Sequence, residues 1–229
     1  VALGAISYEA YKIGAPYTAT VTETHEQKLP DGSVVRGSAT THQARDSAGK
    51  TFEERSMGCQ PGPDGERHPV VQRLISDAAN GTTTSWNVDD PAKVLHVLHR
   101  PPRVARPPAK ADEGEDAAAR QALAQMGIQE EDLGSKSIAG VVAQGTRTVN
   151  AAPAGRAGSN PLKIVDETWV AKDLDLAVLR INDNSAAGKT TTEVVELKLG
   201  EPDASLFAPP AGYKVEEQGV KPAGSAASQ

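Results

Sequence analysis

The sequence predicts a mainly β protein: one curved antiparallel sheet of about ten strands wrapping one main helix, or an open barrel. Three observations predict it. Segments alternate apolar and polar residues with a period of two, turn dipeptides separate them at short intervals, and only Ala117 to Met126 reads as a convincing helix. The 229 residues carry 20 Val, 14 Leu, 7 Ile and 2 Phe, just under a fifth of the chain, so the core is thin. A formal net charge of −6 is too modest to force disorder.

Tyr17 to Glu26 opens the pattern, with Thr18, Thr20, Thr22 and Thr24 on one face and Tyr17, Ala19 and Val21 on the other. Pro30-Asp31-Gly32 turns the chain into Ser33 to Asp46, and Ser47 to Lys50 turns it again into Thr51 to Met57. After a loop from Gly58 to Pro69, Val70 to Asp77 and Thr82 to Val88 flank Asn80-Gly81, and Asp89-Asp90-Pro91 leads into Val94 to His99. A Pro-rich excursion over residues 100–116 follows, because prolines lack the donor that a central strand needs. Ala117 to Met126 is alanine-rich, with acids before it and Gly127 after it. Strands resume at Lys136 to Val149, with Gly140 or Gly145 as a bend or bulge, and continue through Leu162 to Val170, Leu174 to Ile181 and Thr190 to Leu199. Pro209 to Val215 closes the domain. The organisation is an apolar arm (1–13), a single domain (14–215) and a flexible tail (216–229).

Composition excludes several classes. No run reaches the roughly 18 apolar residues of a transmembrane segment. The pI of 5.4 argues against nucleic acid as a partner. Cys59 is the single cysteine, which excludes an internal disulfide; it is either a small apolar filler or a thiol for intermolecular chemistry. A start at Val1 without methionine predicts a mature exported chain that has lost a signal peptide.

Gly14-Ala15-Pro16-Tyr17-Thr18-Ala19, Leu133-Gly134-Ser135-Lys136-Ser137-Ile138-Ala139-Gly140-Val141 and Glu167-Thr168-Trp169 resemble a broad group of uncharacterised exported acidobacterial proteins. So does Glu201-Pro202-Asp203 through Leu206-Phe207 to Pro210-Ala211-Gly212-Tyr213. That group has no established activity and no catalytic motif. The later half also resembles, more weakly, the lipoprotein-carrier (LolA/LolB-like) fold. The resemblance implies an open antiparallel half-barrel closed by helices, with acyl chains held in the hollow.

No catalytic, cofactor or metal site is expected. His96 and His99 are three apart and diverge on a strand, and His25 and His42 are too far apart along a hairpin to share an ion. Gly188-Lys189-Thr190 lacks the earlier glycine of a phosphate loop, and both it and Gly49-Lys50-Thr51 read as hairpin turns. No Gly-x-Ser-x-Gly elbow occurs. Two functions remain. In the first, a non-enzymatic structural subunit assembles with copies of itself into an extracellular filament or surface layer. Val1, Leu3, Ile6, Tyr8, Tyr11 and Ile13 of the arm would reach the open sheet edge of the next subunit. In the second, a periplasmic carrier or sensor holds a lipid, lipoprotein acyl chain or other hydrophobe against Val21, Leu162, Ile164, Trp169 and Leu176.

Overall fold

The computed structural model describes residues 15–61, 65–101, 127–152 and 162–219. They form β1 (Tyr17–Lys28), β2 (Val34–Arg45), β3 (Thr51–Pro61), β4 (Arg67–Asp77), β5 (Thr82–Asn87), β6 (Val94–His99), β7 (Ile128–Ile138), β8 (Val141–Ala152), β9 (Leu162–Ala171), β10 (Leu176–Asn184), β11 (Gly188–Leu199) and β12 (Lys214–Gly219). The protein is mainly β, and its strands follow one open hydrogen-bonded order, β12-β6-β5-β4-β3-β2-β1-β11-β10-β9-β8-β7. The pairing of β12 with β6 is parallel; β3 to β6 and β7 to β11 pair antiparallel with their neighbours.

Among the described residues the strands number twelve, where about ten were expected. The run from Lys136 to Val149 is two strands, because Ala139 (φ 50°) and Gly140 (φ 81°) form a two-residue turn that sets Ile138 opposite Val141. Strand β12 extends four residues into the stretch expected to be tail. The helix expected over Ala117 to Met126 and the apolar arm 1–13 lie outside the described residues. Among the described residues the one helical segment is a 3₁₀ turn, Ala204–Phe207.

Side-chain chemistry explains the expected turns. Asp31 Oδ1 accepts from Ser33 N (2.9 Å) and Ser33 Oγ (2.6 Å), and Leu29 N donates to Ser33 O (2.8 Å). Asp46 Oδ1 does the same for Lys50 N (2.7 Å) between β2 and β3, and Asp77 Oδ1 for Asn80 N (3.0 Å) between β4 and β5. Each aspartate replaces a main-chain partner that the turn removes.

The described residues fall into two compact units. Of these residues, the first takes 15–18, 42–61, 65–101 and 198–219; the second takes 19–41, 127–152 and 162–197. In the first unit Ala44, Phe52, Ile75, Trp86 and Leu95 are buried together, with Val97, Leu206, Phe207 and Tyr213 against them. Register makes that core: Phe52 stands opposite Ile75, Ile75 opposite Thr84, and Thr84 opposite Val97, so alternate residues of four strands share one face. The 3₁₀ turn supplies Leu206 and Phe207, and its Asp203 caps it by accepting from Ser205 N at 2.8 Å. Arg45 is buried as well. Its Nε and Nη2 donate to Ala15 O at 3.1 and 2.9 Å, and its guanidinium lies 4.9 Å from the Tyr17 ring centroid.

In the second unit the buried apolar residues are Ala19, Val21, Ala143, Trp169, Ala171, Leu174, Leu176, Val178 and Val194. Cys59 of the first unit is exposed, so it is not the apolar filler that one reading offered.

Candidate functional site

In the second unit apolar and charged groups meet around Trp169. Gly145 stands directly opposite Trp169, and Trp169 directly opposite Leu179. A Cβ at Gly145 would lie 2.7 Å from the indole, so the bare backbone there is what lets the ring lie flat across β8. Ala143 and Ala171, both buried, continue the low floor on either strand. The register with β9 shifts between Ala177 and Leu179, leaving Val178 without an opposite residue on β9, and Val178 is fully buried.

A chain of polar contacts holds the ring. Trp169 Nε1 donates to Glu167 Oε1 (2.7 Å), Arg147 Nη2 to Glu167 Oε2 (3.0 Å), and Arg147 Nη1 to Glu131 Oε2 (3.0 Å). Lys136 Nζ sits 3.9 Å from the indole centroid. The hydrogen bond from Trp169 is the largest influence holding the Glu167 carboxyl below its usual range, with Arg147 adding to it and burial opposing it. Arg147 is raised in turn, first by its bond to Glu167. A depressed carboxyl contributes stability above the ordinary glutamate value of about 4.3, and that contribution fades as pH falls through the lower folded value. In a Trp86→Phe background, where Trp169 is the one tryptophan left, Glu167→Gln is therefore expected to shrink the change in indole emission on titration from about pH 6 to about pH 2. An unchanged acid transition would remove Glu167 from this role.

Of the five residues expected to line a pocket, Val21, Trp169 and Leu176 are buried and Ile164 is half-buried. Trp169 and Leu176 share a face, since Leu176 stands opposite Ala171, two residues beyond Trp169. Ile164, half-buried, has the other parity on β9. His25, of Val21's parity, has Nδ1 3.1 Å from Thr190 Oγ1; Thr190 stands opposite Asn182, and Asn182 Nδ2 donates to Asp166 Oδ1 at 2.6 Å. The side chain of Leu162 and the arm residues Val1, Leu3, Ile6, Tyr8, Tyr11 and Ile13 lie outside the described residues. Sequence reasoning missed Lys136, Arg147, Glu131 and Glu167 as ring partners; the motif Glu167-Thr168-Trp169 was the available signal.

Among the described residues no helix is long and apolar enough to cross a membrane. No family model and no curated protein matches the chain. Solved structures do. MucB of Pseudomonas aeruginosa, in its complex with MucA, is 16% identical with a TM-score of 0.41, covering 88% of this chain and 58% of that one. This chain therefore spans less than three fifths of the MucB chain. Lipoprotein LppX of Mycobacterium tuberculosis is 13% identical with a TM-score of 0.32, over 83% of this chain and 88% of that one. A putative outer membrane lipoprotein-sorting protein domain from Vibrio parahaemolyticus is 10% identical with a TM-score of 0.28, over 83% and 88% of the two chains.

Proposed function

We propose that the protein is a non-enzymatic exported carrier or sensor that holds a hydrophobic ligand, an acyl chain of a lipid or lipoprotein, on the Trp169 face of the second unit. The observation that supports it is the row Gly145-Trp169-Leu179, which runs apolar across three strands with Ala143, Ala171 and Leu176 beside it. Trp169, Ala143, Ala171 and Leu176 are each 9% exposed or less, so a hydrocarbon reaches them only where the second unit opens around them, and it gains about 25 cal/mol for each Å² that it buries there. The charges of Lys136 and Arg147 at its border would meet the ligand's polar end.

The filament reading has less support. Its arm lies outside the described residues, and both end strands of the sheet order carry features that discourage strand addition. Strand β7 presents Glu130, Glu131 and Asp132 and a register shift between Asp132 and Gly134; β12 presents Lys214, Glu216 and Glu217.

The test is to extract the purified full chain for bound lipid, then to titrate the Trp86→Phe variant with a fluorescent fatty acid. Expected is saturable energy transfer from Trp169 to the probe. An empty extract together with no saturable transfer overturns the reading. Polymers seen by negative-stain microscopy in the same sample would favour the structural subunit instead.

A further inference from the structure

Two cations border Trp169, and they are placed differently. Arg147 gives Nη2 to Glu167 and Nη1 to Glu131, each at 3.0 Å, so two carboxylates occupy its fork. Lys136 enters no ion pair among the described residues; its contact there is the indole, with Nζ 3.9 Å from the centroid. Of the groups that lower the Glu167 carboxyl, Trp169 and then Arg147 dominate, and the charge of Lys136 reaches it least. Lys136 is exposed on β7 and stands opposite the buried Ala143, two residues before Gly145 on the β8 face against which the ring lies. The Lys136 ammonium over the indole is therefore part of what leaves the ring only 6% exposed. A cation–π contact made by an exposed lysine is weak, so this cover is easily moved.

We propose that Lys136 selects the ligand's class: the Trp169 face takes an anionic amphiphile, an acyl chain ending in a carboxylate or phosphate, whose head draws the Lys136 ammonium off the indole and so bares the ring to the chain. This rests on the carrier reading of the same site.

The exchange of partners favours an anion. A carboxylate or phosphate offers the ammonium charge-assisted hydrogen bonds, which are stronger than the exposed ring contact they replace. Lysine suits either head, being a compact point charge with three donors on a flexible stem. Because Lys136 is exposed, that stem can turn outward without moving a strand. Glu131 and Glu167 do not take the freed ammonium, since Arg147 already holds both. An uncharged head gives the ammonium nothing but water in return for leaving the ring.

The test compares dodecanoate with dodecanol, which share a chain and differ in charge, as ligands of the full-length Trp86→Phe protein at about pH 8, read by Trp169 emission. Expected is at least roughly tenfold tighter binding of dodecanoate. Lys136→Gln is expected to bring the ratio near one, and Lys136→Arg to keep it; both change an exposed side chain, so both fold. Equal affinities in the Trp86→Phe protein overturn the selection by Lys136 and leave the carrier reading standing. So does a preference that persists undiminished in Lys136→Gln. Saturable binding of neither ligand overturns this proposal and the carrier reading together.

Discussion

Trp169→Ala is expected to destabilise the protein by roughly 3–5 kcal/mol, the usual range for truncating a buried aromatic to alanine. Three losses combine. The indole is 6% exposed, so its removal opens a cavity between Gly145 and Leu179, neither of which can fill it. Glu167 loses the donor that contributes most to its lowered pKa and keeps Arg147 and the more distant charge of Lys136. Lys136 loses the ring beneath its ammonium. Trp169→Phe separates these terms: it keeps an aromatic ring over Gly145 and removes the N–H, for an expected cost of about 1–3 kcal/mol from the unsatisfied acceptor. Denaturant unfolding followed by far-UV circular dichroism measures both. The same pair tests the proposed function, because alanine is expected to weaken hydrophobe binding at least tenfold (about 1.4 kcal/mol) while phenylalanine retains most of it. If alanine costs less than about 1 kcal/mol, Trp169 is not an organising residue of the second unit.

The strands that the sequence disclosed are those with one buried and one wet face. Tyr17, Ala19 and Val21 are buried as the alternation requires, because β1 has a neighbour on each side and differs only between its faces. The strands it concealed are the two ends of the sheet order. From Ile128 to Ser135, β7 is mostly exposed and acidic, and β12 is exposed along almost its whole length, so neither shows an apolar period. The turn after β7 was hidden for a local reason. Its first residue is Ala139 at positive φ, and alanine there gives no such signal as Asn80-Gly81 gives between β4 and β5. The candidate site was half legible for a related reason. Apolarity pointed to Trp169 and Leu176, but that the two share a face is decided by the register of β9 with β10, which only the pairing reveals. Lys136, Arg147 and Glu167 come from three different strands and meet only once those are in register.

Gly188→Ala is expected to be the most damaging of the glycine substitutions in the second unit. At Gly188 φ is +99°, where an L residue is strained, and a Cβ would lie 2.2 Å from Glu26 O and 2.9 Å from Gln27 Cα. Both obstacles are backbone atoms of β1, so relief requires moving one strand against the other. Two comparisons isolate the steric part. Gly140→Ala meets a positive φ of +81° but open space, so it carries the conformational penalty alone, about 1–2 kcal/mol. Gly145→Ala meets only the Trp169 side chain, which can tilt, so its cost falls on the ring and shows in indole emission. Gly188→Ala adds an unyielding backbone clash to the strain, and a loss above about 4 kcal/mol is expected, a large part of the stability of an ordinary domain. The three variants should therefore rank with Gly188 far beyond the other two in chemical denaturation. Equal losses for Gly188→Ala and Gly140→Ala would mean that β11 does not approach β1 this closely in solution, and that the Thr190–His25 contact two residues along is not fixed by it.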